Sequence, residues 1–454
     1  MLLHAVSVGE VNLIRGLVGQ LADEGVDVVV SVTTDTGWAT AQRLYGDMAP
    51  ERAGEGADEQ RATGAVHVVR YPLDFSWMVE RFLEAVRPDV VGLVELEVWP
   101  GFVAACKRRG IAVGVVNGRL SERSYGRYAL PGVAGLVRTT FGGLDFVAAQ
   151  NAAYAERFVG LGVPAERVAV LDTMKWDGAA AGMDDALREQ AAKLAEEIGL
   201  NLPQRLGDTG EAAGMPRIPE LDPDVSGEGE SPRRQDAKTQ RGEKVVVLAG
   251  TGDGEEADLF GQLIDQWRAA NDRGSDEVLC VLVVPRKPER FDEVATEFMG
   301  SVGWDEIDRR RSMNRLGSSR DGVRAMLIDT MGELRACDAL ADAVIVGRSF
   351  NGWGGSDPME AAGLGVPGVM GPDHKNFEAV VGAMTDAGGL VVEPTPEAAA
   401  ARVVRWLTTE DGAAEAEAVG RAGKRVIEEH RGSTQRHSAL LMEWLRKKAE
   451  KQDS

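Results

Sequence analysis

Short apolar runs alternate with amphipathic helical patterns along most of this chain, and this alternation constrains the fold more than any other feature. Residues 3–6, 26–33 and 90–94 are rich in Val and Leu, which is typical of buried strands. Helical patterns separate them, as in residues 11–24. Repeated strand–helix–strand order implies a parallel sheet covered by helices on both faces. The order resumes at residues 245–249, so the chain is predicted to be an α/β protein with two Rossmann-like domains facing across a cleft.

A polar segment separates the two halves. Residues 201–243 are rich in Pro, Gly, Ser and charged side chains and lack apolar periodicity, which predicts a disordered insert. We therefore expect a first domain over 1–177, a linker with the insert over 178–243, a second domain over 244–428, and a terminal helix over 429–454. The pattern leaves open whether the terminal helix caps the second domain or returns to the first.

Composition excludes several classes of function. A formal net charge of −21 argues against nucleic acid as a partner, since such proteins carry basic surfaces. The 3 cysteines show no metal-binding spacing, and with 5 histidines we expect no metal site. No secretory signal or run of roughly 18 apolar residues is present, so we expect a soluble cytoplasmic chain, and we expect a monomer.

Ligands of parallel sheets lie beyond the carboxyl ends of the strands, so the loops there hold the candidate site. Ser7, Gly9 and Glu10 follow the first strand. One interpretation is a capping box, in which Ser7 and Glu10 satisfy the first amides of a helix. The other is that Glu10 is a general base over the cleft, with Gly9 allowing a substrate to approach the backbone. Spacing alone leaves both interpretations open.

A second acidic pair follows the strand at residues 90–94. Glu95 and Glu97 are either solvated loop charges or a second acidic group beside the reacting sugar. If one of them lies partly buried near Glu10, its pKa is expected to be raised.

The second half offers further strand-end loops. Arg286 follows a strand and either clamps an anion or belongs to a surface turn before a helix. The turn at residues 329–334 leads into a helix, whose first amides suit a phosphate or a base edge. A Gly-rich loop from Gly347 to Gly355 leads to a further helix, and Glu360 one turn inside it is placed to reach ribose hydroxyls.

Taken together, these segments resemble the bacterial Kdo (3-deoxy-D-manno-octulosonic acid) transferases, which are inverting glycosyltransferases of the glycosyltransferase B fold. The resemblance runs from Leu3 to about Gly432, apart from the insert. It rests on residues 4–10, 95–100, 116–124, 174–177, 284–291, 329–334, 354–360 and 371–377.

The resemblance implies CMP-Kdo as donor, a lipid A precursor as acceptor and no cofactor. Glu10 would be the general base, and Glu97 would assist it. The implied donor-binding residues are Arg286, Met331, Gly332, Glu333, Gly347, Arg348, Ser349, Gly354, Gly355, Asp357 and Glu360. The implied acceptor or substrate residues are Ser7, Gly9, Glu95, Arg119 and Lys175. The family also implies peripheral attachment to the cytoplasmic face of the inner membrane, although its usual N-terminal hydrophobic segment is absent here.

The chain departs from the family pattern mainly in the second half. Arg348 replaces the second Gly of Gly-Gly-Ser, and Ser356 and Asp357 replace His-Asn of Gly-Gly-His-Asn-Pro. Lys287 replaces a His, and Thr173 replaces an Asn. These changes keep two alternatives open: a related transferase with another donor or acceptor, and a non-catalytic member that binds sugar nucleotide or lipid.

Overall fold

The computed structural model describes residues 1–46, 64–130, 132–200, 243–252, 254–271, 277–301, 308–312 and 322–452. The predicted insert, 201–243, lies outside the described residues except for Glu243. The chain divides into two compact units, each built on one parallel sheet. The first unit contains Met1–Gly178 and His430–Ser454, and the second contains Ala179–Glu429.

The first unit contains seven strands among the described residues. They are β1 (Leu2–Ala5), β2 (Val28–Val32), β3 (Val66–Arg70), β4 (Val90–Val94), β5 (Ala112–Gly118), β6 (Phe146–Ala149) and β7 (Val168–Val170). Its helices before the unit boundary are α1 (Val8–Leu13), α2 (Arg15–Asp23), α3 (Asp35–Tyr45), α4 (Ser76–Val86), α5 (Pro100–Arg108), α6 (Glu122–Tyr128), α7 (Ala134–Gly142) and α8 (Ala152–Gly160). Helix α9 (Lys175–Ala179) runs across the boundary.

The second unit likewise contains seven described strands. They are β8 (Glu243–Thr251), β9 (Val278–Pro285), β10 (Asp308–Arg309), β11 (Val323–Leu327), β12 (Ala343–Val346), β13 (Gly368–Met370) and β14 (Val391–Val392). Its helices are α10 (Asp185–Ile198), α11 (Glu255–Asn271), α12 (Phe291–Ser301), α13 (Leu334–Leu340), α14 (Met359–Gly363), α15 (Glu378–Asp386), α16 (Pro396–Thr408) and α17 (Glu410–Glu429). The last helix, α18 (Ser433–Gln452), belongs to the first unit.

Both sheets change winding direction once, which locates the candidate ligand sites. The first sheet has the order β3-β2-β1-β4-β5-β6-β7, and the second has β10-β11-β9-β8-β12-β13-β14. The described strand pairs are all parallel. The order reverses between β1 and β4 in the first unit and between β8 and β12 in the second. Sheets of this type bind ligands beyond the carboxyl ends of the strands at that reversal.

The central strands are apolar along their length because helices cover both faces of each sheet. Every residue of β1, β4 and β12 is buried, and their Val and Leu side chains form the cores. Helix α2 packs Leu17, Val18 and Leu21 against the first sheet. Burying such side chains stabilises each unit by about 1.5–3 kcal/mol per side chain before the loss of chain entropy is counted.

Several helix ends follow from local chemistry. Helix α10 begins at Asp184, whose carboxylate accepts the Leu187 amide at 2.7 Å, and it ends at Gly199 in the left-handed region. The predicted helix over 11–24 is in fact two helices that meet at Ile14. The predicted terminal helix over 429–454 begins at Ser433, because the preceding helix ends at Glu429 and Gly432 between them has φ of +90°.

Helix α18 returns to the first unit, which answers the question that the sequence left open. Leu441 is fully buried in the core of that unit, and Trp444 lies against Phe146 with ring centroids 5.7 Å apart. Asp177 caps the start of the helix by accepting the amides of Gly432 and Thr434, each at 2.6 Å. The C-terminal segment therefore completes the first unit rather than capping the second.

Candidate active site

The loops at the reversal of the first sheet bring three predicted site residues together. Glu10 follows β1, and Glu95 and Glu97 follow β4, the strand paired with β1. Both Glu95 and Glu97 contribute electrostatically to the titration of Glu10. The first unit therefore collects three carboxyl groups at the strand ends where an α/β sheet is expected to bind its ligand.

Glu10 takes part in a helix cap. Ser7 begins α1, and its hydroxyl accepts the Glu10 amide at 3.4 Å and donates to the Glu10 carboxylate at 3.1 Å. The second carboxylate oxygen accepts the Val6 amide at 2.7 Å. The predicted capping box forms with one difference, because the carboxylate reaches the amide of Val6 rather than that of Ser7.

The environment of Glu10 also gives it the titration behaviour of a general base. Burial is the largest influence and raises its pKa from 4.5 to about 7. The neighbouring Glu95 and Glu97 raise the pKa further, whereas the hydrogen bonds from Val6 and Ser7 lower it. A carboxyl group with this pKa is half ionised near neutral pH, where a general base transfers protons efficiently.

The loop after β4 is held in an uncommon conformation. Glu95 has φ of 58°, a left-handed value that a residue other than Gly adopts only when its surroundings impose it. Its amide donates to the Val116 carbonyl at 3.0 Å, which fixes the loop to β5. The Glu97 carboxylate accepts the Trp99 indole N–H at 3.1 Å, and burial raises the pKa of Glu97. The loop thus holds a second carboxyl group with a raised pKa near Glu10.

Two predicted basic residues follow the next strand ends of the same unit. Arg119 comes directly after β5, and its amide donates to the Glu95 carbonyl at 3.3 Å. Lys175 is the first residue of α9, and its amide donates to the Thr173 hydroxyl at 3.4 Å. Both side chains are partly exposed. The exposed Gly9 has only Ser7 Oγ near its missing Cβ, at 3.8 Å, so the packing of the protein does not require glycine there.

A buried connection that the sequence analysis missed organises these loops. The Asn117 amide donates to His437 Nε2 of α18 at 3.0 Å, while the Asn117 side chain accepts the Met174 amide at 3.0 Å. His437 Nδ1 lies 2.8 Å from the Ser433 carbonyl, so the ring is neutral with its proton on Nδ1. Burial lowers the pKa of His437 to about 4. Asn117 and His437 are 320 positions apart in the sequence, so no local sequence pattern predicts their hydrogen bond.

In the second unit, the loops after β8 and β12 meet at the reversal of the sheet. Gly347 has no room for a side chain, since a Cβ there would lie 2.6 Å from the Thr251 Cα. The next residue, Arg348, has φ of 60°, so its amide and the Ser349 amide point the same way. Both amides donate to the Glu255 carboxylate, the second of them at 3.3 Å. Burial raises the pKa of Glu255 to about 6.

Glu255 is a further residue that the sequence did not predict. It changes which backbone amides of the Gly-rich loop are free to bind a ligand. The pattern predicted that amides between Gly347 and Gly355 would cradle an anion. A carboxylate of the chain already accepts two of them, and the Gly354 amide donates to Asp373 at 2.7 Å. The Gly355 amide donates to the Arg348 carbonyl at 2.8 Å. These four amides are therefore used within the protein.

The predicted donor-site side chains of this loop lie beside Arg286, which follows β9. Partial burial and the neighbouring Arg348 lower the pKa of Arg286, and Asp357 opposes them. The Asp357 carboxylate also accepts the amide of Met359, the first residue of α14, at 3.0 Å. Ser349 is fully buried, and its hydroxyl donates to the Val346 carbonyl at 2.6 Å and accepts the Gly371 amide.

Glu360 lies in the first turn of α14, near the buried Asp338 of α13. Burial raises the pKa of Asp338 well above its ordinary value, and Glu360 raises it further. Asp338 Oδ1 has no hydrogen-bond partner in the part of the chain that the structure describes. This pair was only half predicted, because the sequence pattern marks Glu360 and gives no signal for Asp338.

The predicted nucleobase loop after β11 is partly committed to internal contacts. Met331 exposes 66% of its surface, and the adjacent Gly332 is exposed with φ of 87°. The Glu333 carboxylate, by contrast, accepts from the Arg310 guanidinium at 3.1 Å and from the Thr330 hydroxyl. Met331 and Gly332 are therefore open to a ligand, whereas Glu333 is held by its neighbours.

Comparison with known proteins agrees with this architecture. A solved glycosyltransferase from Rickettsia africae superimposes with a TM-score of 0.55 over 98% of both chains at 8% identity, which is a likeness of fold. With its two parallel sheets, the chain thus has the glycosyltransferase B fold. Residues 1–178 match the sequence profile of the family described as 3-deoxy-D-manno-octulosonic-acid transferase (kdotransferase).

Similarity to curated proteins extends over nearly the whole length. The 3-deoxy-D-manno-octulosonic acid transferase of Bordetella pertussis is 29% identical over 97% of this chain and 86% of its own length. The corresponding protein of Haemophilus influenzae is 26% identical over 98% of this chain and 86% of its own length. The chain is thus similar to Kdo transferases over nearly its whole length. Among the helices that the structure describes, none is long and apolar enough to cross a membrane.

Proposed function

We propose that this chain transfers Kdo from CMP-Kdo to a lipid A precursor in lipopolysaccharide biosynthesis, with inversion at the anomeric carbon and Glu10 as general base. The observation that carries the proposal is the Glu10 carboxyl group, whose pKa is raised to about 7 at the strand reversal of the first unit. Similarity to the family model over residues 1–178 and to curated Kdo transferases over nearly the whole chain supports the choice of sugar.

The proposed reaction forms one bond and breaks one. Ionised Glu10 removes the proton of the acceptor hydroxyl as its oxygen attacks the anomeric carbon of Kdo. The bond from that carbon to the phosphate oxygen breaks on the opposite face, and CMP leaves with the bonding electrons. Glu97 assists near the reacting centre, because burial raises its pKa and the Trp99 indole orients its carboxylate.

Fixed protein charges are proposed to stabilise the leaving CMP, so no cofactor is expected. Arg286 supplies positive charge at the end of β9, and exposed Met331 offers an apolar surface to the base. Glu360, in the first turn of α14, is the proposed contact of the ribose hydroxyls.

Exposed apolar side chains near Glu97 support a lipid acceptor. Leu73, Phe75 and Trp77 expose 63%, 59% and 67% of their surfaces. Asp74 accepts the Gly101 amide at 2.9 Å, which brings their loop against the start of α5, beside the exposed Trp99. We propose that this surface receives the apolar part of the acceptor and lies on the cytoplasmic face of the inner membrane. Lys175 and Arg119 are the proposed partners of the acceptor's acidic groups.

Calorimetric titration of the purified chain with CMP, with UDP as the control, tests the donor. Binding of CMP without UDP is the expected result, followed by transfer of Kdo from CMP-Kdo to a lipid A precursor. A preference for UDP would favour a related transferase with another donor. CMP binding without transfer would indicate a non-catalytic member.

A further inference from the structure

A cluster of cations surrounds one aromatic side chain at the carboxyl ends of β9 and β12. Lys287 Nζ lies 5.7 Å from the centroid of the Trp353 ring, and Arg348 Cζ lies 5.6 Å from it. Arg286 is close enough to Arg348 for the repulsion between them to lower its pKa. Arg286, Lys287 and Arg348 thus lie near one another, with Asp357 as an anionic neighbour of Arg286, in a chain whose formal net charge is −21.

Trp353 is held firmly enough to organise the two cations. Its carbonyl accepts the Asn376 side-chain amide at 3.0 Å and the Arg348 guanidinium at 3.4 Å. The neighbouring Gly352 carbonyl accepts Lys375 Nζ at 2.9 Å. Trp353 nevertheless exposes 44% of its surface, so the cluster faces solvent rather than the core. Cation–π attraction at a partly exposed ring of this kind is modest and leaves the charges available to a ligand.

The Arg348 side chain has unused hydrogen-bonding capacity. Its Nε is shielded from solvent and has no partner among the described residues. Nη2 of Arg348 already donates to the Trp353 carbonyl, so the N–H of Nε is a donor that remains for a carboxylate oxygen. The amides of Arg348 and Ser349 already donate to Glu255. An anionic ligand at this place would therefore bind to side chains rather than to these backbone amides.

We propose that Lys287 and Arg348, supported by Trp353, bind a carboxylate of the transferred sugar. The site thereby prefers a nucleotide sugar whose sugar is an acid. This inference rests on the proposed function, in which the donor carries a phosphate and a sugar carboxylate. Arg286 binds the phosphate of the donor, and the Lys287–Arg348 pair binds the sugar carboxylate. Lys287 and Arg348 are thereby specificity-determining residues of the donor site.

Two substitutions separate carboxylate recognition from phosphate recognition. Lys287→Met and Arg348→Gly each remove one charge, and glycine suits the φ of 60° at position 348, so the loop keeps its conformation. We expect each to lower kcat/KM for CMP-Kdo by about tenfold or more, as for loss of a charged hydrogen bond. We expect the Kd for CMP, which has no carboxylate, to change by less than about threefold, because free CMP makes no contact with the pair.

Control variants complete the experiment. Lys287→Arg keeps the charge and is expected to retain most of the activity. Lys424→Met removes an exposed charge beside Gly365, before β13 begins and so at the opposite edge of the sheet, and is expected to alter neither quantity.

Three outcomes would overturn the inference. If the variants weaken CMP and CMP-Kdo equally, the pair reads phosphate. If Lys287→Met and Arg348→Gly change neither quantity, the cations only support Trp353. An unaltered chain that binds neither ligand would overturn the proposed function as well, which distinguishes that failure from the other two.

Discussion

Replacing Glu10 with Gln should stabilise the protein while abolishing its activity. A carboxyl group whose pKa rises on folding is harder to ionise in the folded state than in the unfolded state. For Glu10 the two pKa values are about 7 and 4.5, so the folded state loses stability as the pH rises between them. At about 1.4 kcal/mol per pH unit, the cost above pH 7 has an upper limit of about 3 kcal/mol.

The net gain is smaller because Gln replaces only part of what Glu10 does. Its amide oxygen can accept the Val6 amide, but one of the two remaining contacts with Ser7 is lost, at about 1 kcal/mol. Solvent that still reaches the side chain reduces the ionisation cost as well. We therefore expect Glu10→Gln to raise the free energy of unfolding at pH 8 by about 1–2 kcal/mol, and to change it little at pH 5, where Glu10 is already protonated.

Urea unfolding at pH 5 and pH 8, together with a Kdo transfer assay, measures both effects. Transfer should fall at least about a hundredfold in Glu10→Gln and in Glu10→Ala, as expected for loss of a general base. In the unaltered chain, transfer should decline below about pH 7 as Glu10 takes up its proton. Glu24→Gln, at an exposed site, removes the same charge and should change stability by less than about 0.5 kcal/mol. A Glu10→Gln variant that is less stable at pH 8, or that retains near-normal transfer, would refute this reasoning.

Three further substitutions test other parts of the structure. Gly9→Ala should leave the thermal midpoint unchanged, since the nearest atom to the new methyl group is 3.8 Å away. It should raise the acceptor KM about tenfold if the substrate approaches Gly9. An unchanged KM would show that Gly9 is not part of the site. The neutral, buried His437 should by itself make the chain about 2 kcal/mol less stable at pH 5 than at pH 7, because the unfolded state takes up the proton first. The buried His4, whose pKa is also lowered to about 4, adds a similar loss, so His437→Gln should reduce the dependence in urea titrations by about 2 kcal/mol without abolishing it. A dependence equal to that of the unaltered chain would exclude His437 as a source. Gly420→Ala should lower the free energy of unfolding by about 1–3 kcal/mol, because its methyl group would lie 2.1 Å from the Gly365 carbonyl oxygen. In the control Gly19→Ala, the methyl group has open space, so the free energy of unfolding should not change.

The sheet strands of this chain could be predicted well because their signal is local. The apolar run at residues 90–94 has the bounds of β4, and the runs at 3–6, 26–33 and 245–249 overlap β1, β2 and β8. The edge strands β3 and β14 were not predicted, because most of their residues are only partly buried and their apolar pattern is weaker. The order of strands also escaped prediction, because hydrogen bonding between β1 and β4 joins segments that are some 90 residues apart.

Contacts between distant loops set the limit on predicting the candidate site. The strand-end rule predicted Glu10, Glu97 and Arg286 as site residues, because each lies in the loop after an apolar run. It missed Glu255, whose carboxylate accepts amides 93 and 94 positions away. A capping motif or a Gly-rich turn can be seen in a sequence, but the partner that occupies its amides cannot. The Gly347 loop therefore looked like an open cradle although its amides are used internally.

The two interpretations of Glu10 that the sequence left open describe one arrangement rather than two. The hydrogen bonds of the cap, from Val6 and Ser7, favour the ionised carboxylate and so lower its pKa, while burial and the neighbouring Glu95 and Glu97 raise it. With burial alone, Glu10 would stay protonated at neutral pH and could not accept a proton. In an exposed cap its pKa would be ordinary, and it would be too weak a base to remove a hydroxyl proton efficiently. The cap also fixes the carboxylate at the start of α1, so the contacts that stabilise the helix are the ones that orient the proposed base and bring its pKa close to 7.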